Sequence, residues 1–215
     1  MLSACATPQP RHRETYVVRP HDTLYSIAWR HNLDFRALAK WNKIGPDFRL
    51  SVGQVLVLQP DPPDDPRGAS RSPVSRSAEE RPATRPATRP APAAGASEWL
   101  WPTEHSAPPR AVPGGGILLF GKLGQDVRAA CAGRVVYTGS GIRGYGNLII
   151  VKHGENLLSS YAHNSEMLVH EGQDVARGQI IAHMGTAAHQ TSALYFEIRL
   201  NGKPVDPLRY LPGGR

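Results

Sequence analysis

Residues 61–97 decide how the rest of this chain can fold. They are mostly Pro, Ala, Ser, Thr and Arg, and 81–92 reads Arg-Pro-Ala-Thr-Arg-Pro-Ala-Thr-Arg-Pro-Ala-Pro. Large apolar side chains are nearly absent, so ordering the stretch would cost backbone entropy that no burial offsets. Proline biases it toward extended geometry at ~3 Å per residue, a reach on the order of 100 Å when fully drawn out. It is expected to be a disordered Pro/Ala/Arg linker whose arginines touch anionic polymer or lipid nonspecifically. Folding is left to two pieces, 14–60 and 98–215, behind a tail at 1–13. A chain of 215 residues with 40% hydrophobic content is enough for two small domains and a linker.

The net charge of +7 favours anionic surroundings, although six of the arginines belong to the linker. No stripe of aromatic and basic residues suggests a nucleic-acid reader, so no nucleic-acid partner is expected. No apolar run approaches the ~18 residues of a membrane-spanning helix. The tail reads Leu2-Ser3-Ala4-Cys5 and then turns polar, with Pro8 and Pro10. That resembles a bacterial lipobox, in which Cys5 would carry the lipid. A full signal has a basic start and an apolar core upstream, so the natural chain is expected to begin earlier or to have been trimmed. Cys131, far from Cys5 in sequence, is expected to be a small buried hydrophobe rather than half of a disulfide framework.

In the first piece, Thr15–Val18 reads as a strand. Asp22 or Thr23 can cap a helix with Leu24, Ile27 and Ala28 on one face, and Asp34 can cap a second helix carrying Leu38, Ala39 and Trp41. Ile44-Gly45-Pro46 ends that helix, and Val55–Leu58 closes as a strand. This βααβ order resembles a LysM module. The likeness rests on Tyr16-Val17-Val18, Asp22-Thr23-Leu24, Ile27-Ala28, Leu38, Trp41-Asn42, Ile44, Leu50 and Gly53-Gln54-Val55-Leu56, with His21 where the family has glycine. The resemblance implies binding of N-acetylglucosamine-containing glycan of peptidoglycan or chitin. The groove would be lined by Asp22, Thr23, Leu24 and Tyr25 on one side and by Ile44, Gly45 and Pro46 on the other.

In the second piece, short runs separated by glycine predict strands at 133–138, 147–153, 157–163, 180–184 and 194–200, a mainly antiparallel all-β domain. The last of these places Leu194, Phe196 and Ile198 on one face and Tyr195, Glu197 and Arg199 on the other, and runs into a tight turn at Asn201-Gly202. The piece resembles the lysostaphin/LytM family of zinc peptidases, built on a duplicated hybrid motif. The resemblance is carried by Gly133-Arg134-Val135-Val136-Tyr137, Gly144-Tyr145-Gly146-Asn147, Lys152-His153-Gly154, Tyr161-Ala162-His163, Gly178-Gln179-Ile180-Ile181, Phe196-Glu197-Ile198-Arg199 and Val205-Asp206-Pro207. The paired likenesses match the NlpD group of envelope lipoproteins.

The LytM resemblance implies zinc ligands in an early His-x-x-x-Asp and in the second His of a late His-x-His. Laid on this sequence, those places hold Gly114, Leu118 and Tyr195, with Ala193 at the assisting histidine. Only His163 of the family's Tyr-Ala-His is kept. A zinc hydrolase needs three protein ligands and an open water position. The expectation is therefore a degenerate domain with no zinc, no other cofactor and no catalysis. His153, His170, His183 and His189 do not fall at metal spacing and are expected to be surface or structural. The NlpD likeness implies that the groove instead binds and activates a periplasmic N-acetylmuramoyl-L-alanine amidase in septal murein splitting and daughter-cell separation. Groove candidates are Tyr145, Tyr161, His163, Tyr195 and Arg199. The implied location is the periplasm of a Gram-negative cell, anchored to the outer membrane through Cys5. Two alternatives stay open: a zinc endopeptidase using ligands such as His163 and His105, and a plain wall anchor.

Overall fold

The computed structural model describes residues 14–59, 99–187 and 191–213. Cys5, the linker and His189 lie outside the described residues. The first piece is a strand pair closed over two short helices: β1 (Thr15–Val17), α1 (Leu24–Arg30), α2 (Phe35–Trp41) and β2 (Val55–Val57). Thr23 is the N-cap of α1. Its Oγ1 accepts from Ser26 N at 3.1 Å, while Ser26 Oγ accepts from Thr23 N at 3.0 Å, a reciprocal capping box. Asp34 caps α2 by accepting from Arg36 N and Ala37 N, both at 2.9 Å. Asn42 ties α2 to β2, donating to Leu38 O and Val57 O and accepting from Val57 N at 2.7 Å.

The second piece is one antiparallel ten-stranded sheet. Its strands are β3 (Arg110–Ala111), β4 (Ile117–Phe120), β5 (Asp126–Arg128), β6 (Gly133–Gly139), β7 (Asn147–His153), β8 (Leu157–Met167), β9 (Asp174–Val175), β10 (Ile180–Met184), β11 (Ala193–Leu200) and β12 (Lys203–Val205), followed by a 3₁₀ turn at Pro207–Arg209. The main path runs β3-β4-β11-β8-β7-β6-β9, with β10 joining β5 to β8 and β12 on β11. All five strands expected from the sequence are present, and β8 continues four residues further, to Met167. Strands β3, β4, β5, β9 and β12 were not expected; each has four residues or fewer. The Asn201-Gly202 turn forms with φ positive at both residues, 52° and 75°.

Strand β7 explains how the two pieces sit together. Leu148, Ile149, Ile150 and Val151 are all fully buried, so both faces of this strand are covered. Ile149 and Val151 face a core shared with Trp99, Leu119, Val135, Leu194 and Phe196. Leu148 and Ile150 face the other way, with Tyr137, Ile142, Leu158 and Ala162, into one continuous cluster with Ile27, Trp29, Phe35 and Leu38 of the first piece. Burying a Leu or Ile side chain contributes ~1.5–3 kcal/mol, so this seam is a core and not a brush contact. At its rim, Arg36 pairs with Glu155 at 3.2 Å and Arg30 Nη2 donates to Gly141 O at 3.4 Å. Gly202 meets the α1–α2 turn so closely that a β-carbon there would lie 2.4 Å from Leu33 O.

Candidate functional site

Strand β11 lies between β4 and β8, pairing Tyr195 with Leu118 on one side and Ala162 on the other. Leu118 and Tyr195, far apart in sequence, are thereby neighbours. An open cleft of about 450 Å³ lies over them, walled by Ala111, Val112, Pro113 and Ala187 and carrying Tyr145, His163 and Tyr195. The Tyr195 ring rests over Gly116, where a β-carbon would come within 2.3 Å of Cζ. Only glycine leaves the ring that place.

His163 reaches the cleft through a bulge. Asn147 pairs with Asn164 but Ile149 pairs with Tyr161, so β8 carries one extra residue. His163 takes φ of 64°, a strained value for a non-glycine residue. Its N–H donates to Tyr145 O and its carbonyl accepts from Gly185 N, both at 2.9 Å. Asn147 and Asn164 clamp the bulge by exchanging side-chain-to-carbonyl bonds of 3.0 and 2.9 Å. Burial pulls the His163 imidazole below its usual range, toward the neutral form.

The cleft's phenols share a buried carboxylate. Tyr195 Oη donates to Glu197 Oε2 at 2.7 Å, and Tyr145 Oη lies 3.4 Å from the same oxygen. Burial first, and then the Glu197 charge, pushes both phenols upward, so they remain neutral donors. The opposite oxygen, Oε1, accepts from Arg199 Nε at 2.7 Å. Arg199 Nη1 donates to Trp29 O at 2.8 Å, and the guanidinium stacks 3.7 Å from the Trp29 ring centroid.

Two groove candidates are thereby corrected. Arg199 is 4% exposed and faces the seam, not the cleft. Tyr161 is fully buried on the inner face, where its Oη accepts from Ala130 N at 2.9 Å. Tyr145, His163 and Tyr195 do line the cleft, with Ala111, Val112, Pro113 and Ala187, which sequence reasoning missed. Ala111, Val112 and Pro113 are signalled in the sequence only by nearness to Gly114 and Leu118, and Ala187 by nothing local.

The zinc that the fold family implies does not fit these residues. Gly114 and Leu118 offer no ligand atom, and the Tyr195 phenol is neutral and committed to Glu197. Gly114 takes φ of 103°, where a histidine would be strained. His105 lines a different cleft with Trp101 and Asp126, so it does not join His163. Among the described residues no group of three or more His, Cys, Asp or Glu is placed to hold a metal. Of the other histidines, His153 is buried, His170 is exposed and His183 lies 3.6 Å from Asp126. Cys131 is buried in the inner core.

In the first piece the loops meet where Tyr25 packs on Phe35 (4.6 Å) and edge-on against Phe48 (5.7 Å). Burial pushes the Tyr25 phenol up to about 12. Ile44 is half-buried, and Gly45 and Pro46 are exposed beside Phe48. Leu24 is fully buried and Thr23 is the cap. Asp22 accepts from Tyr16 Oη at 2.7 Å and Arg19 N at 2.9 Å, and pairs with Arg30 at 3.3 Å. Its oxygens are thus occupied within the protein, and it borders a seam cavity of about 510 Å³ with Tyr137 and Gly141. Tyr25 and the Gly45-Pro46 loop keep the accessible surface.

The chain matches the model of the LysM domain over residues 16–59 and that of peptidase family M23 over 113–207. It is 41% identical to the lipoprotein NlpD/LppB homologue of Pseudomonas aeruginosa, the match covering 97% of this chain and 80% of that protein. It is 38% identical to the murein hydrolase activator NlpD of Escherichia coli, covering 92% and 68%. A solved M23 peptidase structure from Pseudomonas aeruginosa superposes at a TM-score of 0.50 and 25% identity, covering 56% of this chain and 52% of that one.

Proposed function

Because the chain belongs to the NlpD/LppB family of lipoproteins, joining a LysM domain to an M23 domain, we propose that it activates a murein hydrolase without being one. The observation that carries this is the set of residues at the family's metal positions. Gly114, Leu118 and Tyr195 supply no ligand set, while the cleft over Leu118 and Tyr195 stays open and sets Ala111, Val112, Pro113 and Ala187 beside Arg110, Tyr145 and His163. Such a surface suits a protein segment better than a hydrolytic water. The partner is a periplasmic N-acetylmuramoyl-L-alanine amidase, and the setting is septal murein splitting. The LysM domain holds glycan strands through the surface around Tyr25, Ile44, Gly45 and Pro46, and a lipid on Cys5 anchors the chain to the outer membrane. Activation requires that the cleft bind the amidase's open state more tightly than its closed state.

Release of dye from labelled sacculi tests this. The purified chain alone releases none, and with an N-acetylmuramoyl-L-alanine amidase it raises the amidase rate. Val112→Glu, which puts a charge on the cleft wall, lowers that stimulation. Zinc-dependent release by the chain alone would overturn the reading.

A further inference from the structure

Strand β11 carries a row of polar side chains that runs from the cleft to the LysM seam. Tyr195, Glu197 and Arg199 alternate onto one face, so successive members are ~7 Å apart. A buried charge pair is costly unless it is fully bonded. Here Glu197 is 1% exposed and Arg199 4%, and the bonds that satisfy them come from opposite ends. Glu197 Oε2 is filled from the cleft side by Tyr195 at 2.7 Å and Tyr145 at 3.4 Å. Oε1 is filled by Arg199, and Arg199 in turn is held by the carbonyl and ring of Trp29. That carbonyl lies in the last turn of α1 and accepts from Asn32 N at 3.3 Å as well as from Arg199. Trp29 also meets the Tyr145 ring edge-on at 6.4 Å. Both cleft phenols are thereby linked to a residue of the LysM domain, Tyr145 by direct ring contact and through Glu197, Tyr195 through Glu197 and Arg199.

We propose that the docked LysM domain assembles the partner-binding cleft: Trp29 and Arg199 are positioning residues that fix Glu197 and, through it, Tyr145 and Tyr195. This rests on the reading of the cleft as the partner site. Without Trp29 in place, Arg199 loses its carbonyl and its stacking face, water reaches the Arg199–Glu197 pair, and the phenols lose a fixed acceptor. Glycan capture and partner binding then belong to one body rather than to two modules on a tether.

The test uses the full chain with isotope-labelled tyrosine, following the Tyr145 and Tyr195 ring resonances, and measures stimulation of an N-acetylmuramoyl-L-alanine amidase on dye-labelled sacculi. Arg199→Met keeps an apolar stem under Trp29 and removes the donors. Gly202→Ala pries the seam from outside the network, since its β-carbon would meet Leu33 O at 2.4 Å. Both are expected to shift the two tyrosine signals in a protein that still melts cooperatively. Each is also expected to raise the concentration for half-maximal stimulation about tenfold, the loss of one interface anchor. Arg36→Ala, at the exposed rim, moves neither readout. Should Arg199→Met fail to fold, Gly202→Ala and Trp29→Phe still decide the matter. Unmoved tyrosine signals in the folded variants overturn the proposal. Moved signals with unchanged stimulation support the positioning and overturn the reading of the cleft as the amidase site.

Discussion

His153 makes the stability of this protein depend on pH in a direction that its burial fixes. The imidazole is 4% exposed at the end of β7. Its Nδ1 is 2.8 Å from Ala132 O and its Nε2 is 2.7 Å from Ser159 Oγ, which lies 3.0 Å from Tyr161 Oη. Tyr161 Oη accepts from Ala130 N at 2.9 Å. One arrangement of protons satisfies every member: Tyr161 donates to Ser159, Ser159 to Nε2, and Nδ1–H to the Ala132 carbonyl. The ring in that arrangement is neutral. Burial pulls it down from 6.5 to about 4, against the smaller upward pull of the Ala132 carbonyl. The unfolded chain therefore binds a proton that the folded chain refuses, and stability rises with pH across this window. The contribution is whole above 6.5 and is lost as pH falls toward about 4. A gap of about 2.5 units at ~1.36 kcal/mol each is worth about 3 kcal/mol. Urea unfolding of the whole chain from about pH 7 to pH 4 measures it. His153→Gln, which retains a donor and an acceptor but cannot take up the proton, should flatten the dependence by that amount. His163, also pulled down by burial, leaves a smaller slope of the same sign. A variant that keeps the full wild-type dependence would refute the reasoning.

Three further outcomes are expected. Gly116→Ala drives a β-carbon to 2.3 Å from Tyr195 Cζ and should cost ~1–3 kcal/mol by urea midpoint, with a weaker amidase response. Ile150→Ala, at a fully buried seam position, should cost ~2–5 kcal/mol, whereas Val55→Ala, 58% exposed, should stay within ~0.5 kcal/mol. Tyr195→His should bring no bound zinc by elemental analysis, because Gly114 and Leu118 still lack ligand atoms; stoichiometric zinc would show that ligands come from elsewhere.

Much of this architecture was legible because local chemistry and tertiary fold agree. Asp34 and Thr23 cap the helices they precede, and Asn201-Gly202 makes the turn its composition demands. The five longer strands show as apolar-rich runs between glycine-containing turns. Strands β3, β4, β5, β9 and β12 were hidden because two to four residues cannot show a period. Tyr161 was misplaced for a different reason. In Leu157–His163 a bulge follows Tyr161, so counting by twos from His163 puts it on the cleft face while the chain turns it into the core. Asp22 was expected to cap α1 or to line the glycan groove, and no local pattern announces that Tyr16, six residues earlier, and Arg30, eight later, will claim its oxygens.

Arg199 exposes the deeper ambiguity. A strand reading apolar on one face and Tyr-x-Glu-x-Arg on the other is the ordinary signature of a half-exposed strand. The same pattern results when a second domain covers the polar face and supplies its partners, as Trp29 does here. The discriminating residues lie elsewhere, in Leu148-Ile149-Ile150-Val151 of β7, where no polar position interrupts the run. A sheet whose middle strand is apolar on both faces must be covered on both. The inner face is filled by the domain itself, and with the linker too poor in apolar residues to help, only the LysM domain remains to fill the other. The linker that first divided the chain into two pieces thus connects two halves of one core. Docking then needs only loop closure, whose cost grows slowly with length.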